Sequence, residues 1–389
     1  MKNVENKDML HCTGCGLCES ICPVQAIKIK EKNGFLRPNI DEKKCILCGK
    51  CVNHCPGLQK DDIVCKYNMF NKILYGHSMA ELTRSEAASG GVTTELLRYV
   101  LQWDIVDYVV TAAEYHYNRS LGYRIITKEN INDLYTLSGS NYCPTNIGGA
   151  IKEIRIREGS CLIVCLPCLA RGIRKLQETD DILKKKIKYV VSLLCNHVPS
   201  YNATDYLLKK YNLAIPDIVK YRGKGWFGHF RAYKLIGREK KLIREIPFSQ
   251  YFTTGFSYYF WQPACLDCKD HFGNYADICM GDADFIKYRR EVEENQGETI
   301  CFIKNVQLLK VIKEMERHNY IYLRNDISDN ELELIYGPLT QKRGDNQNLW
   351  NDTEKIIKNE QKVAILKEIR SSRFFNMMRK IRRILNYEK

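Results

Sequence analysis

No stretch of this 389-residue chain approaches the roughly 18 consecutive apolar residues that a membrane-spanning helix needs. Nor does a charged segment followed by an apolar one precede Cys12, as a secretory signal would. A soluble protein is expected. The sequence also lacks GxGxxG and P-loop turns, the usual local signatures of nucleotide binding. No recognised nucleic-acid module accompanies the basic, aromatic segment YRGKGWFGHFRAYK, so no nucleic acid is expected as a partner. Cysteine is plentiful, yet its 18 copies stay below the roughly 8 to 10 per cent that marks a disulfide scaffold. A reducing, cytoplasmic setting fits this usage better than secretion.

What is present is concentrated between residues 12 and 56, which read CTGCGLCESICP and then CILCGKCVNHCP. Each run has three close cysteines, a fourth after three more residues, and a proline. This is the ligand pattern of a two-cluster bacterial ferredoxin, where each run gives three thiolates to one [4Fe–4S] cluster and its fourth to the other. Cys12, Cys15, Cys18 and Cys55 are thereby assigned to one cluster, and Cys45, Cys48, Cys51 and Cys22 to the second. Two-residue gaps let a tight loop wrap a cubane, and Pro23 and Pro56 then turn the chain away. CxxC pairs also build structural zinc sites, but eight cysteines in this duplicated order would make an odd zinc ribbon.

The remaining length, with 44% apolar residues overall, suffices for further domains. The expected division is a ferredoxin domain over 1–60, segments of a second domain over 70–155 and 156–335, and a polar, basic helical tail over 340–389. The net charge of +14 favours acidic partners such as phosphorylated cofactors, an acidic electron carrier or anionic lipid. From residue 73 onward helical and strand periodicities alternate. Val92, Leu96, Leu97 and Val100 recur at helical spacing behind Ser89, Gly90 and Gly91. Strands are expected near 105–110, 123–126, up to Pro167, 188–194 and 298–303, with helices near 150–157, after Cys168 and near 307–317. The fold class is α+β, a ferredoxin-like domain followed by an α/β body.

Two further sets of residues carry chemistry. Cys168 and Cys195 fall at the ends of expected strands, where α/β sheets collect their sites, and Cys265 and Cys268 form a CxxC. Four thiolates from three segments suit a third cluster, although buried apolar cysteines beside a zinc pair would give the same pattern. SGGVTT and SGSNY are candidate phosphate cradles, since small residues bring main-chain N–H groups close to an anion and a helix N-terminus adds positive potential. An ordinary helix cap is the alternative.

Taken together, SGGVTT at 89–94, SGSNY at 138–142, LPC at 166–168, LLCNHVPS at 193–200, YRGKGW at 221–226 and CLDCKDHFGNYADICMGDAD at 265–284 resemble the family of coenzyme F-420 hydrogenase/dehydrogenase beta subunits. The resemblance implies an FAD-containing oxidoreductase whose flavin lies beside an iron–sulfur cluster. It implies that Ser89, Gly90, Gly91, Val92 and Thr93 hold FAD with Ser138, Gly139, Ser140, Asn141 and Tyr142, that Arg222 and Lys224 neutralise its phosphates, and that Cys168, Cys195, Cys265 and Cys268 ligate the third cluster.

Clusters move single electrons, whereas organic substrates and deazaflavins exchange pairs, and a flavin converts one into the other. The expected order is ferredoxin or another redox protein, the two N-terminal clusters, the third cluster, FAD, and a small-molecule substrate. Tyr142, Cys143 and Asp282 are the candidate proton donors. The rival reading is a non-catalytic electron-transfer subunit that feeds a partner enzyme, with surface polysaccharide synthesis as one setting. The tail from Lys362 carries Phe374, Met378, Ile381 and Leu385 among basic residues and is a candidate peripheral membrane contact.

Overall fold

The structure, a computed structural model, describes residues 3–4, 9–59, 66–117, 122–225, 228–255, 260–266, 268–283 and 297–341. The basic tail from Lys362 and its expected membrane contact lie outside the described residues. Among those described, no helix is long and apolar enough to cross a membrane.

The N-terminal segment folds around an antiparallel hairpin, β1 (Ile27–Lys32) and β2 (Phe35–Ile40). On either side of it lie two one-turn helices, Leu17–Ser20 and Lys50–Asn53. Each follows a left-handed glycine, Gly16 (φ 83°) and Gly49 (φ 74°), at the same place in the two cysteine runs. The duplicated sequence thus makes a duplicated turn.

The body is built on an eight-stranded sheet. In chain order its strands are β3 (Lys72–Ser78), β4 (Tyr108–Ala112), β6 (Tyr123–Ile126), β7 (Cys161–Cys165), β8 (Ile187–Leu193), β12 (Ile278–Asp282), β13 (Thr299–Ile303) and β14 (Ile321–Arg324), and in space they run β14-β3-β13-β12-β8-β7-β4-β6. β4, β7, β8 and β12 pair in parallel at the centre, and the flanking pairings are antiparallel. Central parallel strands read as near-continuous apolar runs where helices cover both faces: every residue of β7 is buried, as is every residue of the antiparallel β13. The helices Val92–Gln102 and Val306–Arg317 close one face, burying Leu96, Val100, Leu308 and Ile312. Ala150–Ile156 and Pro167–Thr179 close the other. A second sheet of four strands adds β5 (Tyr115–His116), β9 (Ile218–Lys220), β10 (His229–Ile236) and β11 (Glu239–Pro247) in the order β11-β10-β9-β5. Strands from both 70–155 and 156–335 interleave in each of these sheets.

The ferredoxin-like segment is packed into the body. Leu17, 1% exposed, belongs to the same apolar core as Ile147, Ile151, Leu169 and Ile173, and Leu36 joins the core of the second sheet. Polar contacts seal the seam. The N–H of Gly148 donates to the Cys15 carbonyl (2.9 Å), Gln262 Nε2 to the Cys12 carbonyl (2.5 Å), Ser20 Oγ to the Gly148 carbonyl (2.8 Å), and the Arg171 guanidinium to the Pro56 carbonyl.

Candidate functional site

The eight N-terminal cysteines line two separate voids. One, of about 330 Å³, is walled by Cys22, Cys45, Cys48 and Cys51 with Pro23, Val24 and Ile27. The other, of about 470 Å³, is walled by Cys12, Cys15, Cys18 and Cys55 with Val4, Ile29 and Pro38. In each, three thiols come from one run and the fourth from the other. The first void opens at the surface, where Cys48 is exposed. Among the described residues, no three His, Cys, Asp or Glu side chains converge tightly enough to grip a single ion. The four soft donors and the apolar walls together suit a cubane.

The second void abuts the body. Burial first, and then the neighbouring Cys168 and Cys55, push the Cys15 thiol well above its ordinary range. Cys168 is pushed up to about 12, again by burial first and then by Cys268 and Cys265. The Thr13 hydroxyl hydrogen-bonds both Cys15 and Cys168. Three thiols from the C-terminal set therefore gather next to the ferredoxin-like segment. Cys168 occupies the first turn of the 13-residue helix Pro167–Thr179, whose positive end favours thiolate or an anionic group beside it. Cys195 follows β8 and is tied to the loop after the CxxC by both backbone and side chain of His271: its N–H donates to the His271 carbonyl (3.1 Å), and His271 Nδ1 lies 2.8 Å from the Cys195 carbonyl.

At the same end of the large sheet, the two serine- and glycine-rich turns meet. SGG leads into the helix Val92–Gln102, which starts at Val92 behind Gly91. Thr94 Oγ1 lies 3.3 Å from Ser138 Oγ, Ser89 Oγ lies 3.1 Å from Thr299 Oγ1, and Thr93 Oγ1 donates to Met280 Sδ at 3.2 Å. Those contacts bring Ser89, Gly90, Gly91, Val92, Thr93, Ser138 and Gly139 together across β12 and β13. Ser140 pairs with Arg222 through main chain, and Asn141 Nδ2 donates to the Ala113 carbonyl (3.1 Å). Arg222 is buried, yet it donates to Asp282 Oδ2 at 2.6 Å and to the Tyr142 hydroxyl at 3.2 Å, and its guanidinium stacks over Phe248. Burial would lower its pKa, but Asp282 and then Tyr142 more than offset this and raise it. Tyr142 and Asp282 thus share one cation.

Two expected residues stand apart from this meeting point. Lys224 pairs with Glu245 at 3.2 Å on a half-exposed loop. Cys143 is 2% exposed inside an aromatic core with Tyr115, Tyr201, Tyr221 and Tyr251, where burial pushes its thiol up to about 12 despite a hydrogen bond with Tyr221. Sequence reasoning passed over Thr13, Gln262 and Gly148, which join the cysteine turns to the body. Their only sequence signal is position: Thr13 lies inside CTGC, and Gln262 three residues before Cys265.

Comparisons with known proteins place the family and the fold. Residues 73–152 match the family model for the N-terminal part of the coenzyme F420 hydrogenase/dehydrogenase beta subunit, residues 159–328 match its C-terminal part, and residues 11–57 match a 4Fe-4S dicluster domain. The coenzyme F420-dependent sulfite reductase of Methanocaldococcus jannaschii is 24% identical over 339 residues, 79% of this chain, and the chain spans half of that protein's length. A component of the F(420)H(2) dehydrogenase of Methanosarcina mazei is 24% identical over 286 residues, 69% of this chain and 75% of its own. A chain of the F420-reducing [NiFe] hydrogenase complex from Methanosarcina barkeri superposes with a TM-score of 0.53 at 18% identity, over 75% of this chain and 93% of that one, a likeness of fold.

Proposed function

Because the chain belongs to the family of coenzyme F420 hydrogenase/dehydrogenase beta subunits and carries a 4Fe-4S dicluster domain, we propose that it is an iron–sulfur flavoprotein oxidoreductase. Electrons enter through the N-terminal thiols and leave to an organic substrate or a deazaflavin at the large sheet. The observation that carries this reading is the sorting of eight thiols, four and four, into two voids, the inner of which reaches Cys168 through Cys15 and Thr13. Each void supplies the thiolate set and the apolar walls that a [4Fe–4S] cluster takes.

The same chemistry recommends Cys168, Cys195, Cys265 and Cys268 for a third cluster. Burying thiolates together is costly unless an iron core shares their charge, and the helix end at Cys168 favours the anionic assembly. For FAD, the fitting residues are Ser89 to Thr93 and Ser138 to Tyr142, through their hydroxyls and the N-terminus of the helix that starts at Val92, with the Arg222 cation behind them. When bound there, the flavin takes electrons singly and delivers them as a pair. Arg222 orients the site by holding Tyr142 and Asp282 at fixed distance, and Tyr142 is the group assigned to hand a proton to substrate. Ferredoxin or another redox protein serves as the outside donor or acceptor, in the cytoplasm.

Anaerobic purification followed by metal and flavin analysis tests the scheme. The expected result is about twelve irons per chain, from three four-iron clusters, with one FAD, and a flavin absorbance that bleaches on dithionite titration. Zinc in place of iron would overturn the whole reading. Iron without flavin in every preparation would refute the flavin step.

A further inference from the structure

We propose that the surface around Cys48 is the docking face for a small, acidic one-electron carrier protein. The inference rests on the reading of the two voids as cluster sites. Among the described residues Cys48 is the one exposed cysteine, so the outer void has a wall that a partner can touch. The inner void places Cys15 beside Cys168 and packs against the body along Leu17, Gly148 and Pro56. The two ends of the thiol array are therefore unlike, one with a solvent-exposed thiol and one packed against the site that feeds the substrate.

The open end is dressed for a protein partner. Ile46 is 62% and Leu47 49% exposed, although both are large apolar side chains, and both line the void. Their contact with a partner expels water from the ground between two redox centres. Lys43, Lys44 and Lys50 are exposed close to them in the chain, as are Asp41 and Glu42. Among the described residues Lys44 makes a solvent-exposed pair with Asp41, at 3.5 Å, and such pairs leave the lysine available. Residues 1–58 carry nine Lys and Arg against six Asp and Glu. An apolar contact flanked by lysines on a net positive segment recognises an apolar patch flanked by carboxylates, and opposite net charge steers the encounter. The exchange itself is simple: one electron leaves the reduced carrier and enters the chain behind the Cys48 wall, the carrier ends oxidised by one electron, and no bond or proton moves.

The test uses the full chain with its clusters loaded and a reduced ferredoxin of negative net charge, with bleaching followed by stopped flow. Lys43→Glu/Lys44→Glu is compared with wild type and with Lys310→Glu/Lys313→Glu, which makes the same charge change at exposed positions of the helix Val306–Arg317. The second-order rate of the 43/44 variant should fall about tenfold or more at low salt, within the range that steering supplies. The gap should close toward about 1 M salt, where the screening length shrinks to roughly 3 Å. Lys43→Gln/Lys44→Gln should fall between, and all variants should keep their iron and bleach with dithionite at the wild-type rate. Equal slowing of the 43/44 and 310/313 variants, or slowing of neither, would overturn the docking face while leaving the cluster reading intact. A wild-type protein that neither dithionite nor ferredoxin bleaches would remove the cluster reading and this proposal together.

Discussion

Replacing Gly148 by alanine should loosen the seam between the cysteine turns and the body, and the cost can be worked from the geometry. Gly148 lies in the short turn Ile147–Gly149, and its N–H donates to the Cys15 carbonyl at 2.9 Å. A Cβ at this position would stand 2.4 Å from that carbonyl oxygen, 2.7 Å from Leu17 N and 3.1 Å from Leu17 Cα, whereas real Cβ atoms essentially never come within 3.0 Å of a neighbour. All three are main-chain atoms of the turn that presents Cys15 and Cys18, so no side chain can swing aside. The turn must retreat by more than half an ångström. Overpacking of this kind costs about 1–3 kcal/mol, and the stretched hydrogen bond adds about 1 kcal/mol. In a chain of this size the melting temperature should fall by about 2–5 °C. Calorimetry on the anaerobically purified protein, with iron counted in the same sample, reads both stability and cluster retention. Gly122→Ala is the matched control, since its Cβ would meet nothing within 4 Å. If Gly148→Ala melts with the control and keeps all its iron, the seam is not as tight as argued.

Two further predictions concern single polar groups. Thr13→Val removes a hydroxyl that hydrogen-bonds both Cys15 and Cys168; hydrogen bonds to sulfur raise cluster potentials, so redox titration followed by electron paramagnetic resonance should show a fall of about 40 mV on the basis of ~1 kcal/mol per bond. Thr13→Ser should restore the wild-type value, and potentials unmoved in Thr13→Val would sink the assignment. Glu86 accepts from Arg231 at 3.0 Å and lies 3.8 Å from Lys220. Burial opposes its charged form, but Arg231, Lys220 and Lys224 together hold its carboxyl below the ordinary value near 4.5. A depressed folded pKa contributes stability above the unfolded value, and that contribution is lost as pH falls through the folded one. Glu86→Gln should therefore cost about 1–3 kcal/mol near neutrality, less than a fully buried pair because Glu86 is partly exposed, and the urea-melt difference from wild type should shrink below about pH 4. A difference that stays constant down to pH 3 would refute the coupling.

The cysteine turns were legible in the sequence because their geometry is local: two-residue gaps, a left-handed glycine and a closing proline need no distant partner to take shape. The helix Val92–Gln102 was legible for a similar reason, since Val92, Leu96, Leu97 and Val100 repeat at the helical period, and β6 spans the residues expected for it, 123–126. The positions of β3 and β14 were not, for the places of β3 beside β13 and of β14 beside β3 depend on pairing across more than 200 residues that no local period encodes. Nor does any local pattern say that Asp282 meets Arg222, that Thr13 lies between Cys15 and Cys168, or that Lys224 turns toward Glu245. The sequence by itself determined which residues have the chemistry, because side-chain type and short spacing are local properties. Only the tertiary structure decided which of them meet, because such contacts arise when a sheet closes distant strands and a core buries the turns between them.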